Sequence, residues 1–337
     1  MNHQARSRTT FVSILGVLVL ALAACGSSGG SPPVATTTAA PSTPAPSAAT
    51  SSATGAAGTA AAGDQKVLLV VEENEDYGNI IGSTYAPRIN DFAQRFGLAT
   101  NVDAGYPAHC PSLAAYLLLT SGDRYGVCDD DGPSAHPIAG DNLYQQVAVA
   151  GKEYRQYSQS MPQPCDPNNS ADHLYLVRHA PVPYYDTEKQ RCPQWDVPSG
   201  TLTSGALHDA VGSGSLPAFS FVTPDACNDM HGADVCSMSG KQRITAGDTW
   251  LGNWLDQVMA GPDYKSGKLT ILVTWDEGTN TDNHLPTIVI SPKTSGVKSA
   301  TAYTHCSTLR TMEDLLGLAP LNCAATATSM VTAFHLG

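Results

Sequence analysis

The sequence predicts an α/β fold, a mostly parallel sheet sandwiched by helices and stabilised by disulfides. Short, continuous apolar runs rich in Val and Ile (Val67–Val71, Ala218–Val222, Leu269–Thr274 and Thr287–Ile290) have the pattern of strands buried on both faces. Helix-like stretches alternate with them, and that alternation implies a parallel sheet with covering helices. Nine cysteines, less Cys25 in the leader, leave an even eight, which reads as four disulfides in an exported chain. Eight cysteines allow 105 pairings, so the partners stay open at this point. A zinc site is the weaker reading, because no C-x-x-C pair is present.

Arg6 and Arg8 precede an apolar run from Phe11 to Ala24 that is short for a membrane span, the pattern of an export signal. The run ends in Leu22-Ala23-Ala24-Cys25-Gly26, which resembles a bacterial lipobox. That resemblance implies a signal peptide over 1–25 with a lipidated Cys25, and a protein held at the extracytoplasmic face of the cell membrane. The membrane is then a partner through the anchor only. Residues 26–63 are nearly all Ser, Thr, Ala, Pro and Gly and carry no charge. Such a segment buries too little apolar surface to offset its ordering entropy, so a disordered tether is expected. The remainder, 64–337, suits one large domain. A net charge of −12 and the lack of any basic run argue against nucleic acid as a partner.

Along that domain the first apolar run leads straight into Glu72-Glu73-Asn74. A helix is expected over Pro87–Phe96, closing at Gly97. Pro111-Ser112 should open another helix through Leu113, Tyr116 and Leu117. A serine there either caps the helix or presents its hydroxyl where backbone N–H groups and the positive dipole end stabilise an anion. Asn142–Ala150 follows a capping Asp141 and closes at Gly151, and the Pro- and Tyr-rich stretch from Met161 to Pro198 reads as an irregular insertion pinned by disulfides. The Ala218–Val222 run leads into Thr223-Pro224-Asp225, with Asp229 and His231 beyond. Asp248–Met259 follows Gly247 as a helix, Leu269–Thr274 ends in Trp275-Asp276-Glu277-Gly278, and a helix over Thr308–Leu316 closes at Gly317. In open α/β sheets chemistry gathers at the carboxyl ends of strands, which is where these acids fall. Carboxylates converging there repel one another unless a cation sits among them, so a metal site is expected.

Several motifs together resemble the bacterial acid phosphatase and phospholipase C group of phosphoesterases, within the alkaline phosphatase superfamily. They are Val70-Val71-Glu72-Glu73-Asn74, Pro111-Ser112-Leu113-Ala114-Ala115-Tyr116 with Thr120-Ser121-Gly122, and Phe221-Val222-Thr223-Pro224-Asp225 with Asn228-Asp229-Met230-His231. Gly247-Asp248-Thr249-Trp250-Leu251, Thr274-Trp275-Asp276-Glu277-Gly278, and Thr304-His305 with Leu309-Arg310-Thr311-Met312-Glu313-Asp314 follow in family order. The resemblance implies an alkaline-phosphatase-like fold and a divalent metal held by Glu73, Asn74, Asp276, Glu277 and Ser112. Ser112 is then also the nucleophile, with His231 catalytic and His179, Arg178 and His305 around the substrate phosphate. His284 stands where superfamily relatives use a histidine on a second metal, and Asp229 is either a ligand or the group that orients His231. An all-oxygen ligand set favours Mg²⁺, Mn²⁺ or Ca²⁺, and a histidine ligand would favour Zn²⁺.

The chain departs from the family pattern in four places, two of them beside Ser112. The usual His-Pro-Ser reads Cys110-Pro111-Ser112, and the usual Pro-Asn after the nucleophile reads Ala114-Ala115. Cys306 and Cys323 stand where a tyrosine and a glycine are usual, which implies a bridge between them. The implied activity is a metal-dependent, acid-phosphatase-type phosphomonoesterase, with a phosphoinositide among the possible monoesters. Two alternatives stay open: a phospholipase C-type phosphodiesterase, and a non-catalytic surface lipoprotein that binds a phosphorylated ligand. Family phospholipases C continue into further C-terminal domains, whereas twenty residues follow Gly317 here, so monoesters are expected over diesters.

Overall fold

Buried apolar strands alternating with helices organise residues 65–337, the residues described by the computed structural model, around an eight-stranded sheet. The expected signal peptide with Cys25 and the 26–63 tether lie outside the described residues. The chain runs β1 (Lys66–Glu72), α1 (Tyr77–Ile80), α2 (Pro87–Arg95), β2 (Gly97–Ala99), β3 (Val102–Asp103), α3 (Leu113–Ser121), α4 (Leu143–Val149) and β4 (Tyr154–Ser158). After an irregular segment come α5 (Cys192–Trp195), β5 (Asp196–Pro198), α6 (Ala206–Ser213), β6 (Phe219–Thr223), α7 (Lys241–Ala260) and α8 (Pro262–Lys265). The chain closes with β7 (Leu269–Trp275), β8 (Thr287–Ile290), β9 (Val297–Ser299), β10 (Tyr303–Thr304) and α9 (His305–Leu316). Among the described residues no helix is long and apolar enough to cross a membrane.

The sheet order is β5-β4-β6-β1-β7-β8-β2-β9. Only β8 runs against its neighbours; the other pairs are parallel. Every residue of β6, β7 and β8 is buried, as expected for strands covered on both faces. The central position of β1 matters for function. Val70 pairs with Val222 of β6, and Glu72 pairs with Trp275 of β7, so the acids that follow all three strands emerge side by side at one edge.

Several boundaries differ from expectation. Gly97 does not close α2 but begins β2, where a Cβ would lie 2.6 Å from the Phe334 ring and 2.9 Å from Val289 O. Nor does Gly247 precede α7; the helix starts at Lys241 and runs through it, and the position needs glycine because a Cβ there would meet Met230 at 2.6 Å. The cap of α4 is Asn142 rather than Asp141, its Oδ1 accepting the Gln145 N–H at 2.8 Å. α9 begins at His305, not Thr308, behind a capping box formed by Thr304 and Ser307. Asp248 accepts the N–H groups of Arg88 at 3.2 Å and Ile89 at 2.8 Å, so α7 caps α2, whose own N-cap, Ala86, has no side-chain acceptor.

Four disulfides join the described cysteines: Cys110–Cys128, Cys165–Cys192, Cys227–Cys236 and Cys306–Cys323. The last is the pair implied by the family resemblance. The insertion contains short 3-10 turns and α5, held by Cys165–Cys192.

Asp196 on β5 is wholly buried, accepts a hydrogen bond from Gln156 Nε2 at 2.8 Å, and is pushed by burial up to about 8. In an unfolded chain an aspartate ionises near pH 4, so between about pH 4 and 8 folding requires a proton that the unfolded chain has released. Stability should therefore fall as pH rises through that window. Asp196→Asn, which mimics the neutral form, is expected to melt several degrees above wild type at pH 7, with the gain vanishing near pH 4. An unchanged melting temperature at pH 7 contradicts this.

Candidate active site

Ser112 precedes the first turn of α3, but its hydroxyl caps nothing. The Leu113 N–H is taken instead by Asp130 Oδ1 at 3.1 Å, and the Ala114 N–H by Pro111 O at 3.0 Å. These two N–H groups are therefore not free for a phosphate, contrary to expectation; what α3 offers there is its dipole. Ser112 Oγ, buried, turns to Glu73 Oε2 at 3.3 Å and to Glu277 Oε1 at 3.4 Å.

Glu73 and Asn74 leave the end of β1, and Asp276 and Glu277 leave the end of β7. Glu73 N–H donates to Asp229 O at 2.7 Å, and Asp276 N–H donates to Glu72 O at 3.0 Å, so neighbouring strand ends lock together. Asn74 sits in the left-handed region at φ 35°, which Asn tolerates better than most residues. That turn aims its N–H at Asp276 Oδ1 (3.1 Å) and its Nδ2 at Glu277 Oε1 (3.0 Å). Asp276 also lies against Ser112 and Glu73.

This crowding has an electrostatic cost. Burial, then the neighbouring Asp276 and Asp229, hold the Glu73 carboxyl well above the usual range. Burial pushes Asp276 up to about 6, and burial with the charge of Asp276 pushes Glu277 up to about 8. Asp276 Oδ2, Asn74 Oδ1 and Asp229 Oδ2 are buried acceptors without a hydrogen-bond partner. Repelling carboxylates with unsatisfied oxygens fit a divalent cation, which would neutralise the first and satisfy the second. His179 gives this set a nitrogen: one ligand atom from each of Glu73, His179 and Asp229 lies within 4.8 Å of the others.

The other expected residues are distributed unevenly. His179 is buried, stacks on Tyr116 with ring centroids 5.2 Å apart, and places Nε2 3.3 Å from Glu73 Oε2 without a hydrogen-bonding alignment. Its Nδ1 is 3.6 Å from Asp229 Oδ2, and burial lowers its pKa well below the usual histidine range, so these contacts involve a neutral ring. Arg178 pairs with Asp130 at 3.1 Å and donates to His231 Nε2 at 3.2 Å. His231 Nδ1 donates to Gly232 O at 2.8 Å, and its backbone N–H donates to Asp229 Oδ1 at 2.7 Å, so Asp229 orients it. His305 sits behind β7, donating from Nε2 to Asp276 O at 2.6 Å. His284 is engaged elsewhere, against Thr100 O at 3.0 Å and stacked on Tyr77.

Three groups at the site escaped the sequence reading. Tyr116 donates to Glu73 Oε1, Tyr106 donates to Glu277 Oε2 at 3.3 Å, and Asp130 joins α3 to Arg178. Tyr116 had a signal, since it lies one helical turn from Ser112 on the same face. Tyr106 and Asp130 had none.

The sheet and its acid-lined edge define an alkaline-phosphatase-like fold. A Vibrio parahaemolyticus protein of the alkaline phosphatase superfamily superposes with a TM-score of 0.53 at 12% identity, over 76% of this chain and 67% of that one. A lipoteichoic acid synthase of Listeria monocytogenes superposes with a TM-score of 0.53 at 8% identity, over 77% and 74%. In sequence, the family model of the Phosphoesterase family matches residues 84–319, and the chain belongs to that family. It resembles a phosphatidylinositol-3-phosphatase of Mycobacterium tuberculosis, 28% identical over 254 residues that cover 75% of this chain and 77% of the relative. An acid phosphatase of Aspergillus fumigatus is 22% identical over 64% of this chain, which spans 48% of that relative's length. The protein is a phosphoric ester hydrolase.

If the buried acids repel one another as described, Glu73→Gln should raise the melting temperature in chelator at pH 7 by a few degrees. A lower melting temperature there contradicts the repulsion.

Proposed function

We propose that the protein is a metal-dependent, acid-phosphatase-type phosphomonoesterase whose nucleophile is Ser112. The observation that carries this is the Ser112 hydroxyl, turned away from capping and set between Glu73 Oε2 and Glu277 Oε1. Glu73, Asn74, Asp276, Glu277 and Ser112 would hold a hard divalent cation, Mg²⁺, Mn²⁺ or Ca²⁺, with Zn²⁺ favoured if His179 joins. That ion supplies charge neutralisation and makes a serine alkoxide accessible near neutral pH.

Ser112 Oγ attacks phosphorus and the bond to the leaving oxygen breaks; the hydroxyl proton, with acceptors at 3.3 and 3.4 Å in the two glutamates, passes on to the leaving alkoxide, which departs as the alcohol. Water then hydrolyses the phosphoserine and restores the hydroxyl. Arg178 and His231, linked to each other, are the polar groups available to phosphoryl oxygens or to the leaving group. Tyr116 stacking and burial keep His179 fixed and neutral beside Glu73. His305 acts through Asp276, whose backbone carbonyl it holds.

The substrate is a phosphate monoester, and the Mycobacterium tuberculosis relative's name supports a phosphoinositide. Residues 64–337 form the catalytic domain in this reading. A lipidated Cys25 and the 26–63 tether hold it to the extracytoplasmic face of the membrane.

Ser112→Ala should lower hydrolysis of p-nitrophenyl phosphate by at least about 10³-fold, as loss of a nucleophile does. Chelator should abolish wild-type turnover, and added Mn²⁺ should restore it. Wild-type rates in the folded variant would refute the nucleophile, and comparable rates on p-nitrophenyl phosphorylcholine would make the enzyme a diesterase. Intact-mass spectrometry of the membrane-extracted protein is expected to find a diacylglyceryl-modified Cys25; an unmodified N-terminus contradicts the anchor.

A further inference from the structure

A glutamate brings two oxygens to a site, and its terminal carboxylate torsion is soft, so which oxygen faces inward has to be enforced from outside. Each glutamate beside Ser112 has one oxygen held by a phenol, and Glu277 Oε1 is held in addition by Asn74 Nδ2 at 3.0 Å. Glu73 Oε1 accepts from the Tyr116 hydroxyl, while Oε2 faces Ser112 Oγ at 3.3 Å. Glu277 Oε2 accepts from the Tyr106 hydroxyl at 3.3 Å, while Oε1 faces Ser112 Oγ at 3.4 Å. The two phenols come from different parts of the chain, Tyr116 from α3 and Tyr106 from the loop after β3.

Each phenol ring is itself braced by a histidine. Tyr116 stacks on His179, with centroids 5.2 Å apart and planes within 7°. Tyr106 lies over His305, with centroids 6.3 Å apart and planes at 26°. His305 is anchored in turn by its hydrogen bond to Asp276 O. Both tyrosines are buried, so water does not compete for their hydroxyls.

We propose that Tyr106 and Tyr116 are a matched pair of positioning residues, each occupying the outer oxygen of one glutamate so that one oxygen of each is presented to Ser112 and the cation. The inference rests on the metal-dependent reading above. Without the phenol, the outer oxygen of each carboxylate loses its donor, Glu277 keeping only the Asn74 bond to its inner oxygen, and the ligand set is less well preorganised.

The test is titration of metal-free, full-length protein with Mn²⁺, reading free Mn²⁺ by electron paramagnetic resonance. Tyr106→Phe and Tyr116→Phe keep the rings and their stacking and delete only the hydroxyls. Each should weaken Mn²⁺ binding by about 10-fold or more, the usual effect of losing a partner that orients a ligand. Because the two phenols act on different ligands, the losses should multiply in the double variant to about 100-fold or more. Tyr144→Phe is the control for lost buried hydroxyls in general: Tyr144 is buried and its hydroxyl donates to Gln156 Oε1 at 3.0 Å rather than to any carboxylate of the cluster, and its variant should bind Mn²⁺ as wild type does. Wild-type affinity in both site variants overturns the proposal, as does equal weakening in Tyr144→Phe. A wild type that binds no divalent cation overturns the metal-dependent reading itself, and is told apart because no variant is needed to see it.

Discussion

Everything at the functional edge depends on holding the carboxylates of Glu73, Asp276 and Glu277 around one serine hydroxyl, away from water. Burial pushes all three toward their neutral forms, and the charge of Asp276 pushes Glu73 and Glu277 further in the same direction. The fold resists by backbone means. The ends of β1 and β7 are locked by the Asp276 N–H to Glu72 O bond, and Asn74 spans both acids of β7 through its N–H and its amide. The orphaned oxygens of Asp276, Asn74 and Asp229 are what remains once the protein's own donors are used. A cation would complete this arrangement in a way that further protein donors would not, because it would bring charge as well as contacts.

The segments that carry the site are loops, and disulfides constrain them. Cys110–Cys128 ties the approach to Ser112 to the segment bearing Asp130, which caps α3 and pairs with Arg178. Cys165–Cys192 closes the insertion that delivers Arg178 and His179, and Cys227–Cys236 closes the loop bearing Asp229 and His231. Loops are the mobile part of an α/β scaffold, and each crosslink removes conformations from a segment that would otherwise have to be ordered by few contacts. Cys110, which displaces a histidine of the family pattern, therefore has a use here that does not depend on its chemistry as a ligand.

Much of this was readable in the sequence. The strand runs were bounded to within a residue or so, because full burial on two faces leaves an unbroken apolar stretch between polar ends. Since β1, β6 and β7 are adjacent and parallel, acids that merely follow strands in sequence become neighbours in space. Other features depended on tertiary contacts that no local pattern carries. Gly97 and Gly247 looked like helix punctuation, yet both are glycine because Phe334 and Met230 press against them. Tyr106 and Asp130 reach the cluster from loops whose course is set by the cysteine pairing, and spacing alone leaves that pairing undetermined. The resemblance implies His305 around the phosphate, whereas its Nε2 bonds the Asp276 carbonyl, a side-chain direction that no spacing carries.

The central claim is that phosphorus passes through Ser112. The most direct measurement is to quench turnover of a phosphate monoester in acid with Mn²⁺ present and map the trapped phosphoryl group by peptide mass spectrometry. Phosphoserine at Ser112, formed within the first turnover and lost as substrate is exhausted, is the expected result. A Ser112 that stays unmodified while product accumulates, or a phosphoryl group trapped on another residue, would contradict the account.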